Sequence, residues 1–311
     1  MITKPMDILR DFPVRKSKKQ KQAFRDEIAT YLLSIGYEAK IETGKMGARY
    51  IVFGNPETAQ YLVTAHYDTP AVLLFPNLIT PCSLLPFIGY QIVVSALIVF
   101  AAFIPGLVLA LLGISAEAAS WIWLLSLYVF LALMLIGPAN KHNANDNTSG
   151  VVTLLEIAKS MPEKYRDRVC FVLFDLEEAG LIGSSSYRKL HKSQTDKQII
   201  LNLDCVGDGD ELMMFPTKKL LGCAQKIELL KQITGQYGRK SIAIREKGFA
   251  YYPSDQKHFP YGVGIAAFRR STWAGLYCGK IHTRKDTVLE ETNVNILRAA
   301  IVSLITCAAV K

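Results

Sequence analysis

Charge is what this chain lacks over nearly a quarter of its length. Between Asp68 and Lys141 the only charged residue is Glu117. No helix drawn from that window could turn a charged face to water, which excludes the usual amphipathic surface helix there. Cysteine is sparse and unpaired: Cys82, Cys170, Cys205, Cys223, Cys278 and Cys307 form no CxxC pair. That spacing excludes a cysteine zinc site, and in a chain this long it argues against a disulfide framework, so the six read as buried, reduced thiols. The start "MITKPMDILRDFPVRKSKK" carries charge where a secretory leader needs an apolar core, so no secretory signal is expected. There is no internal repeat and no low-complexity tract. No nucleic-acid-binding motif accompanies the basic residues, so nucleic acid is not expected as a partner.

What is present divides sharply. Half of the residues are hydrophobic and the mean hydropathy is +0.20, high for a soluble protein, but the excess sits in the charge-poor window. Two apolar segments fill it, Phe87–Leu112 and Ala119–Ile136, joined by the short link "GISAEA". Each approaches the length needed to cross ~30 Å of hydrocarbon at 1.5 Å per residue. Pro105 and Gly106 are expected to kink the first, and Trp121 and Trp123 suit a membrane interface at the start of the second. The reading is a transmembrane helical hairpin over 81–139; a pair of buried core helices is the soluble alternative. Two crossings return the chain to the side it left, so residues 1–80 and 140–311 can build one discontinuous domain. The formal charge is +9, much of it in "RKSKKQK" (Arg15–Lys21). That run reads as the solvated face of an N-terminal helix, with contact to anionic headgroups as the alternative. Lys141 and this run flank the hairpin, whereas its tip carries only Glu117. The bias places the protein as integral to a membrane with the soluble domain in the cytoplasm.

Outside the hairpin, strands alternate with helices. Strands are expected at Ala48–Gly54, Tyr61–His66, Arg168–Phe174, Ile199–Asp204, Glu211–Phe215 and Gly264–Arg269. Helices are expected at Lys18–Ile35, Gly150–Ser160, Leu181–Leu190, Lys218–Gln236 and Asn293–Lys311. The pattern predicts an α/β fold with a mixed, largely parallel sheet sandwiched by helices, and such sheets form polar sites at their strand C-termini. Polar residues do gather there. His66 and Asp68 follow one strand, Glu177 and Glu178 another and Asp204 a third; Asp146 precedes a helix, and "GKIHTRKDT" offers His282, Thr283 and Asp286. Each has a plain structural reading alone: a strand-end histidine, solvated glutamates, a helix-start charge. Together, five imidazole and carboxylate ligands suit two divalent metals held ~3.5–4 Å apart by a shared carboxylate.

The ordered series "AHYDTP", "NDNTSG", "DLEEAGLIGS", "NLD" and "IHTRKDT" is similar to the M28 family of zinc aminopeptidases, over nearly all of the chain except the hairpin. His66 and Asp146 stand 80 positions apart, far more than in members of the family without an insertion, and the excess is about what two membrane helices need. The resemblance implies two Zn2+, with Mn2+ or Co2+ able to serve the same ligands. It implies Asp146 as the bridge, His66 and Asp204 completing one site, and Glu178 and His282 the other. Asp68 would orient His66, and Glu177 would be the general base. "YPSDQKHF" resembles the family's substrate-pocket segment, which implies substrate contacts for Tyr252, Ser254 and Asp255; Gln256 departs from it, standing where the family often has His. The implied reaction is removal of N-terminal residues from peptides with a free N-terminus. Two other readings stay open: a glutaminyl cyclase-like acyltransferase, against which Ile281 stands where cyclases typically carry Trp, and a non-catalytic membrane receptor or scaffold. The hairpin would contact lipid and either anchor the domain or hold the site near apolar, membrane-associated peptides. The sequence carries no signal for oligomeric state.

Overall fold

The computed structural model describes residues 2–307. Among these, ten strands form one sheet: β1 (Lys40–Thr43), β2 (Arg49–Gly54), β3 (Tyr61–His66), β4 (Val169–Phe174), β5 (Ile199–Leu203), β6 (Glu211–Pro216), β7 (Gly235–Tyr237), β8 (Lys240–Ile244), β9 (Gly262–Ser271) and β10 (Gly275–Tyr277). Their order is β1-β2-β4-β3-β5-β9-β6-β8-β7, with β10 added to β9. The central strands β4, β3, β5 and β9 run parallel, and antiparallel pairs close both flanks. The result is a mixed α/β fold, as the alternation of elements predicts.

Continuous apolar runs mark strands buried on both faces. In β4 all six residues of "VCFVLF" are buried. Phe171 and Leu173 face one layer, while Cys170, Val172 and Phe174 face the other. The first layer is built by the helices Lys18–Ser34, Gly150–Ser160 and Glu291–Thr306, through side chains such as Phe24, Ile28, Leu154, Leu155, Leu297 and Ile301. Tyr187, from the helix Ile182–Leu190, lies in the second.

Three expectations about elements are corrected. The helix expected at Lys218–Gln236 is two short ones, Lys218–Leu221 and Ala224–Lys231, after which the chain enters β7. Gly222 and the extended Cys223 make the break, and Gly235 begins β7 at φ +154°, a value glycine tolerates. β1, β7, β8 and β10 were not expected; they are short, the first three lie at or next to the sheet edges, and β10 pairs with the end of the interior strand β9. The last helix ends at Thr306, and the residues beyond 307 that it was expected to include lie outside the described ones.

The two hairpin helices span Leu84–Leu111 and Ala116–Ile136, each long and apolar enough to cross a membrane. Only 11% and 0% of their most apolar windows are buried, so they are not core helices of the sheet. The first runs without interruption through Pro105. Gly106 marks the helices' close approach, because a Cβ there would stand 2.6 Å from the Ala119 carbonyl. Chain entry and exit are tied together. The Val72 N–H donates to Pro138 O at 2.8 Å, and the Asn140 N–H to Pro70 O at 2.9 Å.

The basic run is not simply a solvated face. Arg15 is fully buried and donates to the carbonyls of Tyr67 and Phe12 and to the Thr148 hydroxyl. Lys21 is buried against Asp175. Lys18 and Lys19 remain exposed after the Ser17–Gln20 capping box, and Lys16 Nζ reaches the Leu135 carbonyl at the foot of the second hairpin helix at 2.9 Å.

Candidate active site

The parallel centre of the sheet brings the C-terminal ends of β3, β4 and β5 together, and the polar residues gather there. His66 is the last residue of β3; Asp204 follows β5; Glu177 and Glu178 follow β4 after Leu176, whose φ of +57° turns the chain sharply. Asp146 comes from the turn before the helix Gly150–Ser160, and its peptide bond to Asn147 is cis. His282 arrives on the loop after β10 with φ +62°.

Asp146 turns one oxygen to each imidazole. Its Oδ1 lies 3.3 Å from His66 Nε2 and its Oδ2 lies 3.1 Å from His282 Nε2. Asp204 Oδ1 lies 3.7 Å from His66 Nε2, and Glu178 Oε2 lies 3.4 Å from His282 Nε2. Candidate ligand atoms of His66, Asp146 and Glu178 all fall within 4.8 Å of one another, as do those of His66, Glu177 and Asp204. The sequence-predicted ligands are thus brought together around Asp146, but these groupings cut across the expected halves: Glu178 clusters with His66, and Glu177, expected as the base, clusters with His66 and Asp204.

The donor set fits divalent cations. Asp204 Oδ1 and Glu178 Oε1 are buried with no hydrogen-bond donor, and a buried unpaired carboxylate oxygen is costly. Five carboxylates, Asp68, Asp146, Glu177, Glu178 and Asp204, meet only two imidazoles. Burial pushes Glu177 well above the usual carboxylate range; Glu178, Asp255 and Asp204 reinforce this and His66 opposes it. Burial and then the charge of Asp146 push Glu178 up as well. Asp146 moves down despite its burial, because His282 and His66 hydrogen-bond its charged form. Burial disfavours the His66 cation, but Glu177, Asp146, Asp204 and Asp68 outweigh it and raise its pKa well above the ordinary value. The same balance, with Asp146 dominant, raises His282.

Asp68 does more than the sequence indicates. Its backbone carbonyl lies 3.2 Å from His66 Nδ1 and fixes that ring, and its Oδ1 adds a charge 3.6 Å from the same nitrogen. The same carboxylate accepts the backbone N–H of Glu177 at 3.1 Å and of Glu178 at 3.2 Å. The Asp68 carboxylate therefore holds the paired glutamates, while the backbone carbonyl of the same residue meets the imidazole.

Other supports could not be read from spacing. Asp286 accepts the backbone N–H groups of Asn145 at 2.8 Å and Asp146 at 3.0 Å, clamping the Asp146 turn. Burial, helped by Asp146, pushes its carboxyl to about 7. Of the three residues assigned to a substrate pocket, Tyr252 lines the catalytic cavity and donates to the Asp204 carbonyl at 3.0 Å. Ser254 and Asp255 are fully buried instead. Ser254 donates to Asp204 Oδ2 at 2.6 Å, so it holds a candidate ligand. Asp255 is pushed up to about 7 by burial. Gln256 bonds Tyr252 and Asn202 and stays in the scaffold. The Cys205 sulfur lies within 4.8 Å of carboxylate oxygens of Asp146 and Asp204; of the six thiols read as buried, Cys82 and Cys223 are half-buried and Cys307 is exposed. The cavity has a volume of about 340 Å³, and Leu135 of the second hairpin helix forms part of its wall.

Comparison with known proteins bears on this geometry. Residues 130–304 match the profile of "Peptidase family M28". A glutaminyl cyclase from Porphyromonas gingivalis aligns over 97% of this chain and 95% of its own, with a TM-score of 0.61 and 16% identity. A Zn-dependent exopeptidase from Parabacteroides distasonis aligns over 98% and 96%, at 0.57 and 15%. The LapA aminopeptidase of Legionella pneumophila aligns over 98% of this chain and 68% of its own, at 0.56 and 13%. At these identities the likeness is one of fold. Comparison with curated proteins returns no match.

Proposed function

The chain belongs to peptidase family M28, and on that premise we propose that it is a membrane-anchored aminopeptidase with two zinc ions, releasing N-terminal residues from peptides. The observation that carries the reading is Asp146, one oxygen toward His66, which also faces Asp204, the other toward His282, which also faces Glu178. These five residues would hold the pair of ions, and the imidazole–carboxylate set also admits Mn2+ or Co2+. When bound, the ions supply Lewis acidity, which lowers the pKa of water toward ~7 and polarises a carbonyl.

The chain's own residues do the rest. Glu177 accepts the proton of the attacking water and returns it to the leaving amine, a task suited to a carboxyl whose proton affinity burial has raised. Asp68 keeps Glu177 in reach by holding its backbone N–H. Ser254 and Tyr252 fix Asp204 from behind, and Tyr252 forms part of the cavity wall.

The hairpin helices, 28 and 21 residues long, would extend about 42 and 31 Å and so cross the ~30 Å hydrocarbon core. Lys16, Lys18 and Lys19 lie near the foot of the hairpin and Glu117 at its tip, which favours a cytoplasmic catalytic domain.

The test is hydrolysis of a panel of free and N-acylated peptides by zinc-loaded protein in detergent, beside Glu177→Gln. Release of N-terminal residues by the wild type, at least 100-fold lower in the variant and absent from blocked peptides, is the expected result. Glutaminyl cyclases share the fold, so cyclisation of N-terminal Gln is the second reading. Cyclisation without hydrolysis would replace the first reading with it.

A further inference from the structure

A second cavity lies against the catalytic one. It has a volume of about 550 Å³, and its walls come from three places: the Ala71–Asn77 segment, the first hairpin helix and the second. Val72, Leu73, Val94, Ile98, Phe130 and Met134 make it apolar. Tyr90, Val94 and Ile98 share one face of the first hairpin helix at the i, i+4, i+8 spacing of a single stripe, and Gln91 borders it, three residues before Val94. Glu178 and His282 stand in its wall and also in that of the catalytic cavity, as do Asn77 and Leu135. The two spaces therefore meet at one half of the proposed metal centre.

The shape follows from how the helices pack. Gly106 and Ala119 bring them together toward the tip, whereas nearer the sheet Val94 and Ile98 stand apart from Phe130 and Met134 across the cavity. The rim is tied down rather than loose. The Leu73 N–H donates to the His282 carbonyl at 2.7 Å, and the Tyr90 hydroxyl donates to the Pro76 carbonyl at 2.6 Å. The helices that form these walls turn their other faces outward, with Ile92, Val93 and Leu131 exposed. An anchor alone would need none of this: its helices could pack along their whole length and end short of the ligands.

Volume indicates the occupant. A cavity of ~150 Å³ holds one benzene-sized ring, so this one has room for two or three apolar side chains. Resting on the aminopeptidase reading, we propose that the cavity is a specificity subsite for the first apolar side chains of a membrane-embedded peptide, entering from the bilayer between the hairpin helices. The peptide's N-terminus then reaches the metal centre past Glu178 and His282 without its apolar residues crossing water.

The test uses the full-length, zinc-loaded protein in lipid nanodiscs. Val94→Trp and Ile98→Trp each fill the cavity away from the ligands; retained zinc content and melting temperature identify folded protein. The expected result is that kcat/KM for Leu-Leu-Phe amide falls at least tenfold further than for Ala-Ala-Gly amide, and that Phe130→Ala shifts preference toward larger side chains. Binding is read separately, by the fluorescence anisotropy of a labelled Leu-Leu-Phe peptide on Glu177→Gln protein. Its Kd should rise at least tenfold when Val94→Trp or Ile98→Trp is added. Hydrolysis with equal losses for both amides, or with none, overturns the subsite and leaves the peptidase reading standing. Peptide binding that the tryptophans weaken, without hydrolysis by the wild type, upholds the subsite and overturns the peptidase reading. Displacement of the peptide by palmitate at lower concentration than by unlabelled peptide assigns the cavity to lipid and overturns the proposal.

Discussion

Asp68→Asn is the substitution whose effect can be worked furthest from the structure. The carboxylate accepts two backbone N–H groups, from Glu177 and Glu178, one on each oxygen, and lies beside His66 Nδ1. An asparagine keeps the shape but only one acceptor. Its amide group must turn an N–H toward a backbone N–H, leaving one buried donor unpaired. Losing a charged hydrogen bond costs about 1.5–3 kcal/mol. At about 1.4 kcal/mol per decade that is roughly ten- to hundredfold. Outer residues of metal sites typically change metal affinity or activity by 10–100-fold, the same range. Zinc affinity, measured by competition with a chromophoric chelator, and kcat/KM on an aminoacyl amide should therefore both fall by about that factor, with circular dichroism preserved. Asp68→Ala, which offers no acceptor, should fall further. Zinc affinity and kcat/KM both within twofold of wild type in Asp68→Asn would refute the claim that this side chain holds the site together.

Two further outcomes follow from charge. Glu177, Glu178, Asp255 and Asp286 all titrate above ordinary carboxyls, the last two at about 7. A carboxyl with a raised folded pKa binds its proton more tightly when folded, so stability falls as pH rises from about 4 toward the folded value. His66 and His282, also raised, add stability below about pH 6.5 that is lost as pH rises through their folded values. Asp68 and Asp146, which are lowered, act in the opposite sense only at more acid pH. The melting temperature of chelator-stripped protein should thus drop between about pH 5 and 7.5, and saturating zinc should restore it; a flat profile without metal contradicts the charge accounting. For topology, Ser115→Cys sits at the N-cap of the second hairpin helix, while native Cys307 is exposed on the catalytic side. In intact bacteria expressing the protein, an impermeant maleimide should label the new cysteine and spare Cys307; the reverse would invert the orientation.

The sequence announces four of the five candidate ligands because they follow a buried apolar strand or precede a buried helix; His282, on the loop after β10, has no such run beside it. "VCFVLF" then "DLEE" and "IILNL" then Asp204 can be read by eye. The hairpin is equally plain, since a span without charge has few alternatives. What stayed hidden depends on pairing across the chain. The bonds from Asp68 to residues more than a hundred positions away, or from Asp286 back to the Asp146 turn, have no local signature. Arg15 sits in a basic run that looks solvated until Tyr67 and Thr148 close over it. Edge strands such as "KIET" and "GQY" are too polar and short to separate from turns. The contribution of Leu135 to the catalytic wall needed the hairpin's docking, which hydropathy does not encode.

The paired contacts at Val72–Pro138 and Pro70–Asn140 make the hairpin's base a closed joint in the backbone. Whatever lies between those residues starts and finishes at the same point, so the sheet experiences it as a loop of fixed end-to-end distance. Doubling the length of a flexible loop costs only about 0.6 kcal/mol. An ancestral lineage could therefore gain, lose or exchange the whole segment without disturbing the folding of the sheet or the set of ligands. On the proposed function, the protein's location and the substrates it accepts could then change without change in the residues gathered around Asp146.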